Sequence, residues 1–243
     1  MERRTTKIKK TDLDGMTIPY GSNDVIIKIT ERSKDKRTKG GIYVGYNEDA
    51  VYAEGEESHA ADVAEVWGEV FRHPKRLFYS KGDSDSMPWD TGLEIQEGDA
   101  VWFDYYESVN CDVLECGDDV FYVIPYRDLY VVRRGDKIIP LNGYCLCEPI
   151  EVTHDSELAI NIGAKYRTDK AIVRHRGTPN KRYQPTDAIV GTYNNDDIGV
   201  SEGDTVLLRH NFTPYFLERL ESIATFSEQP YYVIQRRHMQ IVL

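Results

Sequence analysis

Four cysteines, Cys111, Cys116, Cys145 and Cys147, are the residues of this chain best suited to metal or redox chemistry. Their spacings are C-x4-C and C-x-C, which differ from the usual zinc-knuckle pattern. Cys145 and Cys147 lie in the apolar run "GYCLCEPI", where alternate residues share one strand face. Cys111 and Cys116 are expected to flank a hairpin turn. Reduced, packed thiols are favoured over a zinc site, and no metal or cofactor is expected. Asp83-Ser84-Asp85-Ser86 has a calcium-like spacing but lacks the distal glutamate of a helix-loop-helix site. The histidines, His59, His73, His154, His175, His210 and His238, are scattered, and none stands beside a cysteine or serine in a triad motif. Phosphate-binding glycine loops and His-Glu-x-x-His are missing, and the chain reads as a non-enzyme.

A binding chemistry is easier to find. "ERSKDKRTK" carries seven charged residues out of nine and is followed by Gly40-Gly41 and the apolar triplet Ile42-Tyr43-Val44. An acidic, small-residue stretch comes next. A charged, glycine-containing loop buries too little surface to order itself, whereas an apolar tip adds contact when it meets a partner. A second reading also stands: the triplet begins a core strand, with the glycines as its turn.

The bulk composition narrows the classes. With 243 residues the chain has room for one large domain or two ordinary ones. Its net charge of -11 disfavours a general nucleic-acid binder. The charge is uneven: residues 1–134 hold 18 basic and 27 acidic side chains, and the remainder 12 and 14. The basic run Lys165 to Tyr183 holds seven Lys or Arg. It suits an acidic surface, but equally a solvated strand edge. No apolar stretch is long enough to span a membrane, and the basic N-terminus lacks the apolar core of a secretory signal. A cytoplasmic protein is therefore expected, with no membrane partner.

The elements that must carry these residues are strands. Short β-branched and aromatic runs alternate with Gly, Pro, Asn and Asp, which reads as all-β. Strands are expected in "DVIIKIT", "GEVFRHP", "DAVWFDYY" and "DVFYVIPYRDLYVV", and again in "GYCLCEPI", "KAIVRHR", "DTVLLRHN" and "PYYVIQRRHMQIVL". Three pairs recur in one order. Leu93–Phe103 matches Ile198–Leu208, Tyr122–Val132 matches Tyr232–Val242, and "VFRHP" matches "VRHRGTP" more weakly. Their offsets of 103 to 110 residues indicate an internal duplication joined near Arg133 to Gly143. In both copies Glu-Gly-Asp enters a strand. Glycine supplies the positive φ of the turn, and Asp99 or Asp204 then bonds nearby amides.

In that order the first copy resembles the GroES family of co-chaperonins. The residues that carry the likeness are "NDVIIKIT", "KGGIYV", "WGEVFRHP", "IQEGDAVWF" and "YVIPYRDLYVV". The resemblance implies two tandem GroES-like β-barrel domains. Residues 1–22 would be an extension, 23–134 the first barrel with a long loop, and 135–243 a second, diverged barrel. It also implies a lid that docks on a chaperonin ring and assists folding. Ile42, Tyr43 and Val44 would be the contact, Gly40 and Gly41 the hinge, and a homo-oligomeric ring the assembly. Phe78 to Gly92 would be the hairpin at the lid's apex. The second copy lacks the Gly-Gly, and Leu158-Ala159-Ile160 is its possible second tip. The alternative is a structural assembly protein, such as a virus-particle component, that reuses the barrel pair.

Overall fold

The computed structural model describes residues 4–29, 67–78, 87, 91–151, 166–180, 199–209, 215–217 and 231–243. The chain divides into two compact units, with Leu93–Lys137 in the first and Ile138–Leu243 in the second. Both are built mainly of strands. Among the described residues no helix is long and apolar enough to cross a membrane.

The first sheet is formed by β1 (Thr5–Lys7), β2 (Asp24–Ile29), β3 (Trp67–Arg72), β4 (Ala100–Phe103), β5 (Asp112–Cys116), β6 (Asp119–Pro125), β7 (Leu129–Arg134) and β8 (Lys137–Pro140). Their order across the sheet is β1-β5-β6-β2-β3-β4-β7-β8. The second sheet contains β9 (Tyr144–Glu151), β10 (Tyr166–Arg176), β11 (Thr205–Leu208), β12 (Tyr215–Leu217), β13 (Tyr231–Gln235) and β14 (Met239–Val242). Its order is β12-β13-β9-β10-β11-β14. Closing a barrel requires the two edge strands to hydrogen-bond. Among the described residues neither sheet does so, and the barrels expected from the sequence are two open sheets.

The duplication is visible in how the strands pair. The run β5-β6-β2-β3-β4-β7 has the same order as β12-β13-β9-β10-β11-β14. The turn chemistry repeats as well. The Asp99 Oδ2 accepts the Gln96 amide at 2.8 Å, and the Asp204 Oδ2 accepts the Ser201 amide at 2.7 Å. Gly98 and Gly203, with φ of +87° and +94°, supply the left-handed turn that a side chain would strain. Each of these glycines donates its amide to the strand alongside, Gly98 to Val70 and Gly203 to Val173. Both copies then bend through a short 3-10 turn, Tyr126–Asp128 and Arg236–His238, before their last repeated strand.

Each unit has its own apolar core. Val25, Ile27, Val70, Val101, Phe103 and Ile124 are buried in the first, and Cys145, Cys147, Val173, Val206 and Ile234 in the second. Burying each such side chain contributes about 1.5–3 kcal/mol. Gly68 in β3 is needed for close approach, because a Cβ there would sit 2.5 Å from the Lys28 carbonyl oxygen.

Two local expectations are corrected. "DAVWFDYY" is not all strand: β4 stops at Phe103 and α2 (Tyr105–Asn110) follows. Asp104 and Glu107 make a D-x-x-E helix start, a signal that outweighs the aromatic run. Cys111 and Cys116 do not flank a turn, because β5 runs between them and the hairpin turn follows Cys116. The segment taken as an extension adds structure to the first unit. β1 pairs in parallel with β5, and α1 (Lys10–Asp14) packs Leu13 on Ile26 and Phe121. Val25, Ile26 and Ile27 are three consecutive buried residues, so both faces of β2 need cover.

Candidate functional site

The candidate tips, Gly40, Gly41, Ile42, Tyr43 and Val44 and also Leu158, Ala159 and Ile160, lie outside the described residues. What is described is the frame from which both segments leave. β2 ends at Ile29 and β3 begins at Trp67, and these strands are antiparallel neighbours with Lys28 opposite Glu69. β9 ends at Glu151, directly opposite Tyr166 at the start of β10. Residues 30–66 and 152–165 therefore connect equivalent strand pairs of the two repeats. The two tips hold corresponding places in the chain order.

Three side-chain groupings could do chemistry. A carboxylate cluster was not read from the sequence. It joins Asp104 after β4, Glu107 in α2 and Asp128 in the first 3-10 turn. The Tyr130 hydroxyl donates to Asp104, and Arg127 Nε lies 3.4 Å from the Asp128 Oδ2. Burial, with Asp128 and Asp104 close by, pushes Glu107 up to about 7. Burial also raises Asp128 to about 6, opposed by Arg127. The cluster can hold protons near neutral pH. The helix-start signal at Asp104 and Glu107 would have found half of it; Asp128 arrives only through the pairing of β4 with β7.

A cavity of about 380 Å³ in the first unit is lined by Gly21, Ser22, Asn23, Asp24, Met87, Pro125 and Arg127. Its polar groups are largely engaged in holding the fold. Asn23 donates to the Phe78 carbonyl at 2.8 Å and accepts the Phe78 amide at 2.6 Å. Ser22 donates to Asp24 at 2.7 Å.

The second unit holds a buried arginine at the place of Tyr126. Both residues open the 3-10 turn, and their amides donate to equivalent carbonyls, of Asn23 and Gly143. Tyr126 is fully buried, and its hydroxyl accepts the Glu94 amide at 3.1 Å. Arg236 is 1% exposed and donates through Nη2 to Gly177, and among the described residues its Nε and Nη1 have no partner. Nearby, His238 is held down to about 4 by burial and by Arg237 and Arg209. It is therefore a neutral ring that accepts from Arg237 Nε at 3.2 Å.

The cysteines are free thiols, with Cys145 and Cys147 buried in one cluster on a shared strand face. Burial raises the Cys147 thiol well above its usual value, which disfavours the thiolate that metal ligation needs. Among the described residues no group of three His, Cys, Asp or Glu is placed to hold a metal ion. His59, His154 and His210 lie outside the described residues. So does most of the segment from Phe78 to Gly92, including its Asp-Ser-Asp-Ser run and Trp89. Compared with protein-family models and with curated proteins, the chain matches neither.

Proposed function

We propose that this protein is a co-chaperonin-like lid: a non-enzymatic, self-assembling cap that docks on a chaperonin ring through apolar loop tips. The observation that carries this reading is the repeated frame. Two sheets of one strand order each send a connection out between equivalent antiparallel neighbours, β2–β3 and β9–β10. In the first copy that connection contains the charged run and the Gly-Gly-Ile-Tyr-Val tip. An ordered two-strand base with an apolar tip lets a single weak contact become firm when several tips bind one ring.

The specific observation behind a second reading is the uneven pair of tips. The connection 152–165 has no Gly-Gly, and a lid with two tips per chain would gain from both. A structural assembly protein built on the same frame, for example a virus-particle component, would not need either.

Co-sedimentation with a chaperonin ring in the presence of ATP separates the two. A lid should bind the ring end and release when nucleotide is removed. Replacing Ile42, Tyr43 and Val44 with Ser should abolish that binding. A chain that never associates with a chaperonin, yet assembles with itself or with other particle proteins, would decide for the structural role.

A further inference from the structure

We propose that the corner formed by Arg209, Arg237 and His238 in the second unit is a binding site for a phosphate group. This site goes beyond the lid reading and does not depend on it.

The registers fix which residues correspond between the copies. Phe103 stands opposite Leu129 as Leu208 stands opposite Met239, each just after a shift of register. The next residue then bonds the end of the 3-10 turn. The Asp104 amide donates to the Asp128 carbonyl at 3.0 Å, and the Arg209 amide to the His238 carbonyl at 2.9 Å. Arg209 therefore stands where Asp104 stands, His238 where Asp128 stands, and Arg237 where Arg127 stands. The backbone bond is kept and the charge is reversed. In the first copy the acids have partners close by, with Tyr130 donating to Asp104 and Arg127 beside Asp128. The same corner can thus be built with acids, so the fold does not require basic residues there.

In the second copy this corner gathers positive charge. Arg209 and Arg237 are exposed and His238 is half-buried. The Arg209 Nε donates to the Arg237 carbonyl at 2.7 Å, which holds its guanidinium at the turn. Its two Nη groups make no hydrogen bond or ion pair among the described residues. They are an end-on fork of the kind that an oxyanion accepts. The Arg237 Nε donates to the neutral His238 ring at 3.2 Å, where the equivalent Arg127 faces a carboxylate. Burial and the two guanidiniums hold that ring at about 4. An anion placed among these groups turns their mutual repulsion into attraction. His238 then takes a proton from solvent and, with Arg237, becomes a donor to the anion.

The extent of the positive charge selects the ligand. Two guanidiniums and a chargeable imidazole exceed the single charge of a carboxylate. They match a phosphate group, which carries about two negative charges and several acceptor oxygens. A nucleic-acid backbone would need further free cations along its path. The other arginines of the second sheet do not offer them. Arg167 is paired with Asp169, Arg174 with Glu148, and Arg176 donates to the Val200 carbonyl. The corner is therefore a point site for one group rather than a stripe for a polyanion.

Nuclear magnetic resonance of the His238 ring in the full chain tests this, with inorganic phosphate as the probe. Millimolar phosphate should move the titration midpoint of the ring from about 4 to its ordinary 6.5 or above. Chloride and acetate at the same ionic strength should move it much less, because screening weakens the repulsion without supplying a doubly charged anion. A ring that ignores phosphate, or that answers chloride or acetate equally, overturns the site. Arg209→Gln should keep its melting temperature and lose the response to phosphate. Arg174→Gln removes the same charge elsewhere on the sheet and should respond as wild type does. A full response in Arg209→Gln, or a lost one in Arg174→Gln, would also overturn the site. If Arg209→Gln loses its cooperative melt, Arg237→Gln takes its place with the same expectation. Glycerol phosphate separates the sources: a response equal to that of inorganic phosphate marks a phosphate monoester, and a response to inorganic phosphate alone marks the free ion. The measurement needs no chaperonin, so this site and the lid reading fail separately.

Discussion

Arg134 grips Asp99 with both prongs of its guanidinium, Nε to Oδ1 at 2.8 Å and Nη2 to Oδ2 at 2.7 Å. Asp99 is 3% exposed, so this charge depends on its partner and on the Gln96 amide. Asp204 makes the equivalent amide bond and has no ion pair among the described residues. The two aspartates of the repeat should therefore differ in weight. Asp99→Ala is expected to cost about 2–4 kcal/mol, the loss of a buried charged bond, and Asp204→Ala about 1 kcal/mol, the loss of a turn bond. Urea denaturation of the two variants checks the ranking, and equal losses would contradict it.

The carboxylate cluster should make the protein less stable as pH rises. Glu107 is raised from 4.5 to about 7 and Asp128 from 3.8 to about 6, so the folded state holds both protons more tightly than the unfolded chain. Stability from these groups is complete below their unfolded values and is lost as pH climbs toward the folded ones. Glu107→Gln with Asp128→Asn removes the titration. Its melting temperature should exceed that of wild type more at pH 8 than at pH 4. A difference independent of pH would show that the carboxylates are not the cause.

Arg236 should be replaceable without loss. A buried guanidinium with two donors unbonded among the described residues carries a desolvation cost that its bond to Gly177 does not offset. Arg236→Met keeps the length and the apolar stem. Its melting temperature is expected to equal or exceed that of wild type. A loss of about 3 kcal/mol or more, the usual result of breaking a buried pair, would mean that the charge has a partner in the folded protein.

The Ile42-Tyr43-Val44 triplet can be weighed by stability alone. If it is a docking tip, changing all three to Ser should leave the melting temperature almost unchanged, as surface changes do. If it begins a core strand, the same variant should lose several kcal/mol, roughly the sum of three buried side chains. A destabilised variant that still binds a chaperonin would sink the tip.

Much of the strand pattern was legible because its signals are local. The Glu-Gly-Asp turns at Asp99 and Asp204 could be read because glycine's positive φ and an aspartate's reach to an amide three residues back involve only a few neighbouring bonds. The repeated Tyr-Val-Ile runs showed β6 and β13 for the same reason. "DAVWFDYY" misled because aromatic residues favour strands, while the competing helix start at Asp104 needed a particular pair, Asp and Glu three apart, to be weighed against them.

By itself the sequence determined the all-β character, the duplication and the turn at the entry to each repeated strand. These follow from alternation, spacing and backbone sterics, which act over a few residues. The tertiary structure alone decided which strands are neighbours, that residues 5–14 cover the first sheet, and that Asp104, Glu107 and Asp128 meet. Among the described residues it also decided that β8 lies beyond β7 and that no strand lies beyond β14. Those facts depend on pairing between segments far apart in the chain. Two strands of nearly identical local pattern, containing Val132 and Val242, can therefore differ in burial, with Val132 0% and Val242 38% exposed.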